Sequence, residues 1–412
     1  EMRRLIYIFI IGLLLCSYTW ADGSRYASKS LLSEGKWVKI RVDKTGIYKL
    51  SYADLKNMGF SDPSKVSVHG YGGWPLDEDF SKEYIDDVPS TPVWRGSDYL
   101  LFYGKGPVKW EYDSSSQTFV HTNNPYSLYG YYFVTDATPT NDMTSVAQAS
   151  GATNRITTYD DYLVHEQELV SLAKSGRELY GEDFSGATPR TLSTFSSIPG
   201  ITNEDAKVTM SFVSKVTSGT GVASLSINQS NVLDVSIRSN REEYVKALEG
   251  VSTAVWKGEK SEKNSVVVSY NSASHNNVRL NYVRLHFKRT LQPYGAYTFF
   301  RSIASIGNVS RFVVQGANAN TLVFDVTDAQ RVRLMETELN GSELTFSIPA
   351  GTLREFVLVR TDQSFISPEV VGEVENQNLH ALEQKDMIII AAKAFQTQAE
   401  RLAEEHRATD GL

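Results

Sequence analysis

Cysteine is almost missing from this sequence: its 412 residues hold one, Cys16, set inside the first apolar run. Removal of that run would leave a chain without a thiol, which excludes disulfides, thiolate metal sites and a cysteine nucleophile from the remainder. An excess of positive charge is missing as well. Lys+Arg number 41 against 48 Asp+Glu, a formal charge of -7, so no general field draws the chain to nucleic acid or to an anionic membrane. No apolar run of spanning length follows Leu15. Histidine is scarce: His69, His121, His165, His275, His286, His380 and His406 lie far apart with no H-E-x-x-H pair, so no zinc motif is present.

What is present is apolar and aromatic material, 41% hydrophobic residues with 22 Tyr and 18 Phe, enough for the two to three packed domains that this length implies. Arg3 and Arg4 ahead of the apolar Leu5 to Leu15, with Thr19-Trp20-Ala21 before Asp22, predict a secretory signal peptide over 1–21. Ser17, Thr19 and Asp22 close the run too early for a membrane span, and Leu15 stands where lipidation of Cys16 would need a small residue. The mature chain is therefore expected to be exported, with no transmembrane helix.

From Lys36 onward the pattern is mainly β. Val38, Ile40 and Val42 alternate with Lys39 and Arg41, the period of a half-buried strand. Asp43-Lys44-Thr45-Gly46 reads as a hairpin turn with Gly46 left-handed, returning Ile47-Tyr48-Lys49-Leu50 as the partner strand. Ser51 and Asp54 form a capping-box signature with Leu50 and Leu55 as its staple, predicting a short helix to about Met58 that stops at Gly59. Strands are expected at Val66–Val68, Tyr99–Tyr103 and Tyr129–Val134, completing a β-rich N-terminal domain over 22–150, with 135–153 as linker.

Residues 155–380 read as a jelly-roll-like β-sandwich region. Val208, Met210 and Phe212 alternate, as do Leu225 with Ile227 and Leu233, Val235 with Ile237. In Val278 to Lys288 the apolar parity switches, so a bulge is expected near Tyr282. Further strands are expected at Phe312–Val314, Leu322–Val326, Leu344–Phe346 and Phe356–Val359. Over 385–412 the pattern changes: Met387 to Ala391 is a continuous apolar run of the kind buried on both faces, and Phe395, Ala399, Leu402 and His406 follow at helical spacing with Gly411 as stop. One strand and one helix cannot cover each other's apolar faces, so this is expected to be the truncated first βα unit of an α/β domain that continues beyond Leu412.

Few motifs carry chemistry. Asp43-Lys44-Thr45-Gly46 shares four residues with the phosphorylation loop of P-type ATPases, but Ile47 replaces the threonine needed next and membrane helices are lacking. Asp77-Glu78-Asp79 with Asp86-Asp87 could offer carboxylates to a hard cation, yet the EF-hand spacing is absent and a solvated loop is the plainer reading. Gly104-Lys105-Gly106 is too short for a phosphate loop and reads as a turn. No G-x-S-x-G elbow is present. Trp74, Trp94, Trp110 and Tyr131 could stack on sugars, although such rings more often fill cores.

Several strings, in order, resemble the N-terminal region of type IX secretion sortases, within the gingipain-type cysteine peptidases: Val42-Asp43-Lys44-Thr45-Gly46-Ile47-Tyr48-Lys49-Leu50, Phe102-Tyr103-Gly104-Lys105-Gly106-Pro107, Asn124-Pro125-Tyr126-Ser127, Gly176-Arg177-Glu178-Leu179-Tyr180-Gly181-Glu182 and Ser367-Pro368-Glu369-Val370-Val371-Gly372. The run from Asp386 to Gly411 is similar to the first βα unit of the caspase-like peptidase domain. The resemblance implies a cell-surface cysteine peptidase that removes C-terminal sorting domains from exported proteins and transfers those proteins to a lipid-linked carbohydrate, with outer-membrane secretion components as partners. Its His base and Cys nucleophile would lie beyond Leu412; His406 matches neither, so no catalytic, cofactor-binding or metal residue is assigned here. Two alternatives are another gingipain-related surface protease and a non-enzymatic β-sandwich adhesin or carbohydrate-binding module.

Overall fold

Side chains that alternate along Trp37–Val42 need a facing layer, and the chain supplies it by turning through Asp43–Thr45 into an opposed sheet. The computed structural model describes residues 26–79, 81–82, 85–172, 174, 176–240 and 247–412; the expected signal peptide, with Cys16, lies outside them. The described chain is mainly β. Trp37–Val42 pairs with Gly130–Thr135 and Glu369–Val374, whereas Gly46–Ser51 pairs with Tyr99–Gly104 in a different sheet. The expected hairpin is thus an arch between two sheets. Its physical reason is burial: Ile40, Val42, Tyr48 and Leu50 all enter one core, which a flat two-stranded ribbon could not give them. Gly46 is not left-handed. It is needed for close approach, because a Cβ there would meet the Tyr297 hydroxyl at 2.7 Å.

The capping signature holds. Tyr52–Asn57 is helical, Ser51 Oγ accepts from the Asp54 N–H at 3.0 Å, Leu55 is fully buried and Gly59 follows with φ +93°. The Val108–Asp113 and Thr118–Asn123 strands form a two-stranded hairpin that leaves this first sandwich. Residues 135–153, expected as linker, are tied down: the Met143 N–H donates to Val93 O at 2.8 Å, and Ser145–Val146 pairs in parallel with Arg333–Met335.

Between 155 and 380 the structure builds two sandwiches. In the first, Thr158–Glu166, Val278–Thr290, Ala206–Ser214 and Leu248–Trp256 form one sheet. Arg190–Thr191, Val266–Tyr270, Thr220–Ile227 and Ser230–Arg238 form the other, and both bury their inner faces in a core that includes Phe184, Phe212 and Phe287. The bulge is where the parity switch put it: Ser211 pairs with Tyr282 and Phe212 with Leu280, so Asn281 is skipped and Val278, Leu280, Val283, Leu285 and Phe287 are all buried. The second of these sandwiches pairs a five-stranded sheet, centred on Thr321–Asp325, with a four-stranded sheet holding Asn308–Val314 and Glu343–Ala350. Its centre is a cluster of rings: Phe312 and Phe346 are stacked 5.0 Å apart, with Phe300 and Phe356 against them. A further cluster, Ile47, Leu101, Tyr103, Phe324, Val357 and Val359, joins the three-stranded sheet of the N-terminal sandwich to this last one.

These three sandwiches lie in one unit, Lys36–Glu83 with Pro89–Val374; a smaller unit takes the described residues up to Gly35, those of Tyr84–Val88, and Glu375–Leu412. In the smaller unit the expected helix is present as Gln396–Thr409, with Gly411 at φ +71°. Met387 to Ala391, expected as a strand, makes no strand pairing, and a lone extended run has no ladder to satisfy its backbone; Ile388 is 79% and Ile390 95% exposed. Among the described residues no helix is long and apolar enough to cross a membrane.

Loss of a ring from the stacked cluster leaves a cavity, so Phe312→Ala should cost about 3–5 kcal/mol, whereas Ser51→Ala, which removes one cap, should cost about 1 kcal/mol. Urea denaturation of the two variants side by side checks the ranking; equal losses would contradict it.

Candidate functional site

Residues from all three sandwiches line one recess. A cavity of about 630 Å³ lies between the Asp43–Thr45 turn, Trp74, the Val108–Glu111 strand segment, Tyr159 to Val164, Arg289 to Arg301 and Glu355. The hairpin roofs one side by packing on the central sandwich. Trp110 stacks on Tyr162 at 4.0 Å, Phe119 lies 5.1 Å from the same ring, and the Arg284 guanidinium donates to Phe119 O at 3.2 Å.

Arg301 closes the floor and is 1% exposed. Its Nε donates to Glu355 Oε2 at 2.7 Å and its Nη1 to Asp160 O at 3.1 Å, while Asp161 Oδ1 stands 3.6 Å away and the Tyr162 ring 4.4 Å away. Burial alone would push its proton off, but Glu355 and Asp161 hold the guanidinium more firmly charged than usual. Glu355 is the counterpart: burial raises its carboxyl above the ordinary range, partly opposed by Arg301. Arg289 donates from Nη1 to Asp161 Oδ2 at 2.8 Å and lies 3.7 Å over the Tyr294 ring. Beneath them the buried Asp160 takes Lys288 at 2.8 Å, His286 at 3.0 Å and the Ile303 N–H at 2.7 Å. Burial pushes that carboxyl up; the His286 hydrogen bond and the Lys288 charge more than offset it, and the net shift is downward.

The lining holds no histidine, cysteine or serine among the described residues. The sequence candidates are dispersed around it. Asp43, Lys44 and Thr45 sit on its rim as a turn, with the Tyr48 hydroxyl donating to Lys44 O at 2.8 Å. Asp77 and Asp79 are engaged by the N–H groups of Asp79 and Ser81, while Asp86 and Asp87 accept from the Ala27 and Leu31 N–H groups. Each of the seven histidines has its own local partners, and no group of three or more possible metal ligands occurs among the described residues. Of the four aromatic candidates, Trp74 and Trp110 come together at the cavity; Trp94 packs on Tyr99, and Tyr131 lies under Lys39 on another face.

Sequence reasoning missed Lys105. The Gly104-Lys105-Gly106 segment is a connection as expected, but the lysine is 3% exposed, its Nζ 3.9 Å from the centre of the Tyr71 ring and 4.6 Å from that of Trp74. Glycine on both sides is the signal that could have found it: a Cβ at Gly106 would meet the Lys44 backbone at 2.5 Å, so the loop is pressed inward. Desolvation lowers the ammonium to about 8. The unfolded chain, with a lysine near the ordinary value of about 10.4, then holds its proton longer than the folded chain, and stability should rise as pH climbs from about 8 to about 10. Lys105→Met should be more stable than wild type at pH 7 and lose that advantage by about pH 10; thermal melts across the range check this, and a difference flat with pH would refute it.

No protein-family model matches the chain and no curated protein sequence matches it. Among solved structures, that of dimeric latent PorU from Porphyromonas gingivalis matches with a TM-score of 0.86 and 32% identity, over 94% of this chain and 37% of that one. A cycloalternan-forming enzyme from Listeria monocytogenes aligns over 61% of this chain and 18% of its own at 10% identity, with a TM-score of 0.21 that carries no fold assignment. In both fold and sequence, therefore, the chain resembles the N-terminal region of PorU, over a span that is 37% of that protein's length.

Proposed function

We propose that these residues are the β-rich, non-catalytic region of an exported gingipain-type cysteine peptidase that acts as a type IX secretion sortase at the cell surface. The observation that carries the reading is the PorU likeness across 94% of the chain. The Met387 to Ala391 run and the Gln396–Thr409 helix agree with it. They leave Ile388, Ile390, Phe395 and Leu402 exposed, the state expected of one layer of an α/β sheet awaiting its neighbours. In this reading the sandwiches supply a rigid base, and thiolate chemistry belongs to residues outside this sequence. Its substrates are exported proteins bearing C-terminal sorting domains, its site of action is the outer membrane, and secretion components hold it there.

Incubating a purified sorting-domain substrate with the product of the whole reading frame, and separately with these 412 residues, tests the proposal. The whole product should remove the domain in a reaction blocked by thiol alkylation, and the 412 residues should leave it intact. Cleavage by the 412 residues alone, or none by the whole product, would overturn it.

A further inference from the structure

The cavity between the sandwiches has no part in sorting-domain removal as proposed above, and its chemistry stands apart from that reading. Eight aromatic side chains border this recess of about 630 Å³, a concentration of rings and polar groups of the kind that small ligands fill. The charges are balanced: Lys44, Lys109, Arg289 and Arg301 face Asp43, Glu111, Asp161 and Glu355. Three of these pairs are closed, Lys109 to Glu111 at 2.8 Å, Arg289 to Asp161 at 2.8 Å and Arg301 to Glu355 at 2.7 Å. Lys44 and Asp43, on the rim, form no ion pair among the described residues, but an ionic ligand inserted among the three closed pairs would have to break one and leave its partner uncompensated. A neutral ligand need not. Hydrogen-bonding capacity remains open: the Tyr162 and Tyr297 hydroxyls bond nothing among the described residues, and Glu355 uses one carboxylate oxygen on Arg301. An extended peptide is the competing occupant, since Val108–Asp113 pairs only with Thr118–Asn123 among the described residues and Thr158–Glu166 is closed on its outer side only at Asp160, whose N–H donates to Arg301 O at 2.9 Å; the titration below separates the two.

We propose that this cavity is a binding site for an uncharged saccharide, with Trp74 and Trp110 as the aromatic faces for its rings and Tyr162, Tyr297 and Glu355 as partners for its hydroxyls. Flat apolar ring faces edged by hydroxyls match aromatic walls set among donors and acceptors, and the balanced ion pairs hold those groups in place without selecting for charge.

The test is tryptophan emission and calorimetric titration of the purified chain with glucose, galactose, mannose, rhamnose, N-acetylglucosamine and their trisaccharides, with glucuronate and an alanine hexapeptide as comparators. At least one neutral saccharide should saturate. Tyr297→Phe, which removes a hydroxyl that bonds nothing among the described residues, or Trp74→Ala should weaken that binding about tenfold, while Tyr131→Ala, outside the cavity, should leave it unchanged. No saturation by any neutral saccharide up to about 10 mM, saturation only by glucuronate or the peptide, or binding untouched by both cavity substitutions would overturn the proposal. Sorting-domain removal is read separately, so either proposal can fail without the other.

Discussion

A buried guanidinium sets the terms for the larger unit. Arg301 leaves the end of the Tyr297–Phe300 strand and is enclosed where three sandwiches meet, so its charge has to be matched by whatever packs against it. Asp160 and Asp161 come from the central sandwich, Glu355 from the last one, and the Phe119 ring, 5.8 Å away, from the hairpin of the first. A cation that takes hydrogen bonds and ion pairs from two layers and a ring face from the hairpin of the third holds those layers in one arrangement. A purely apolar contact would tolerate sliding; a hydrogen-bonded guanidinium does not.

That constraint also explains why the space beside it stays open. Filling the cavity with the Tyr162 or Glu355 side chain would pull a partner from Arg301, and closing it from above would unstack Trp110 from Tyr162. The arch at Asp43–Thr45 reaches the same place for a different reason. Gly46 lets the Tyr297 ring approach, Gly106 lets the neighbouring loop press on Lys44, and Lys105 is carried into the gap between Tyr71 and Trp74. Sequence strings that mark the PorU likeness, around Asp43 and around Phe102, are therefore strings that shape the junction.

Local physics was legible in the sequence. The alternations at Val208–Phe212 and Leu233–Ile237, the Ser51 cap and the parity switch beside Tyr282 each depend on residues within one element, and each is realised in the structure. Partner choice was not. The strand Trp37–Val42 takes Glu369–Val374 from the far end of the unit in place of its immediate successor, and nothing within either strand names the other. The same blindness merged two sandwiches over 155–380, because alternation reports that a face is buried and not against which sheet. The cavity was invisible for the same reason: its walls run from Asp43 to Glu355, and Trp74 and Trp110 could not be separated from Trp94 and Tyr131 until the layers were assembled. In the smaller unit the Gln396–Thr409 helix was legible from its apolar spacing, whereas the strand expected over Met387 to Ala391 is not formed.

Whether Arg301 locks the three sandwiches into one body is open to direct measurement by differential scanning calorimetry of the chain and its Arg301→Ala variant. The larger unit should absorb heat in a single cooperative transition, and the variant should separate it into two or more at lower temperature. Separate transitions in the unaltered chain, or a variant that still melts as one body at the original temperature, would contradict the account.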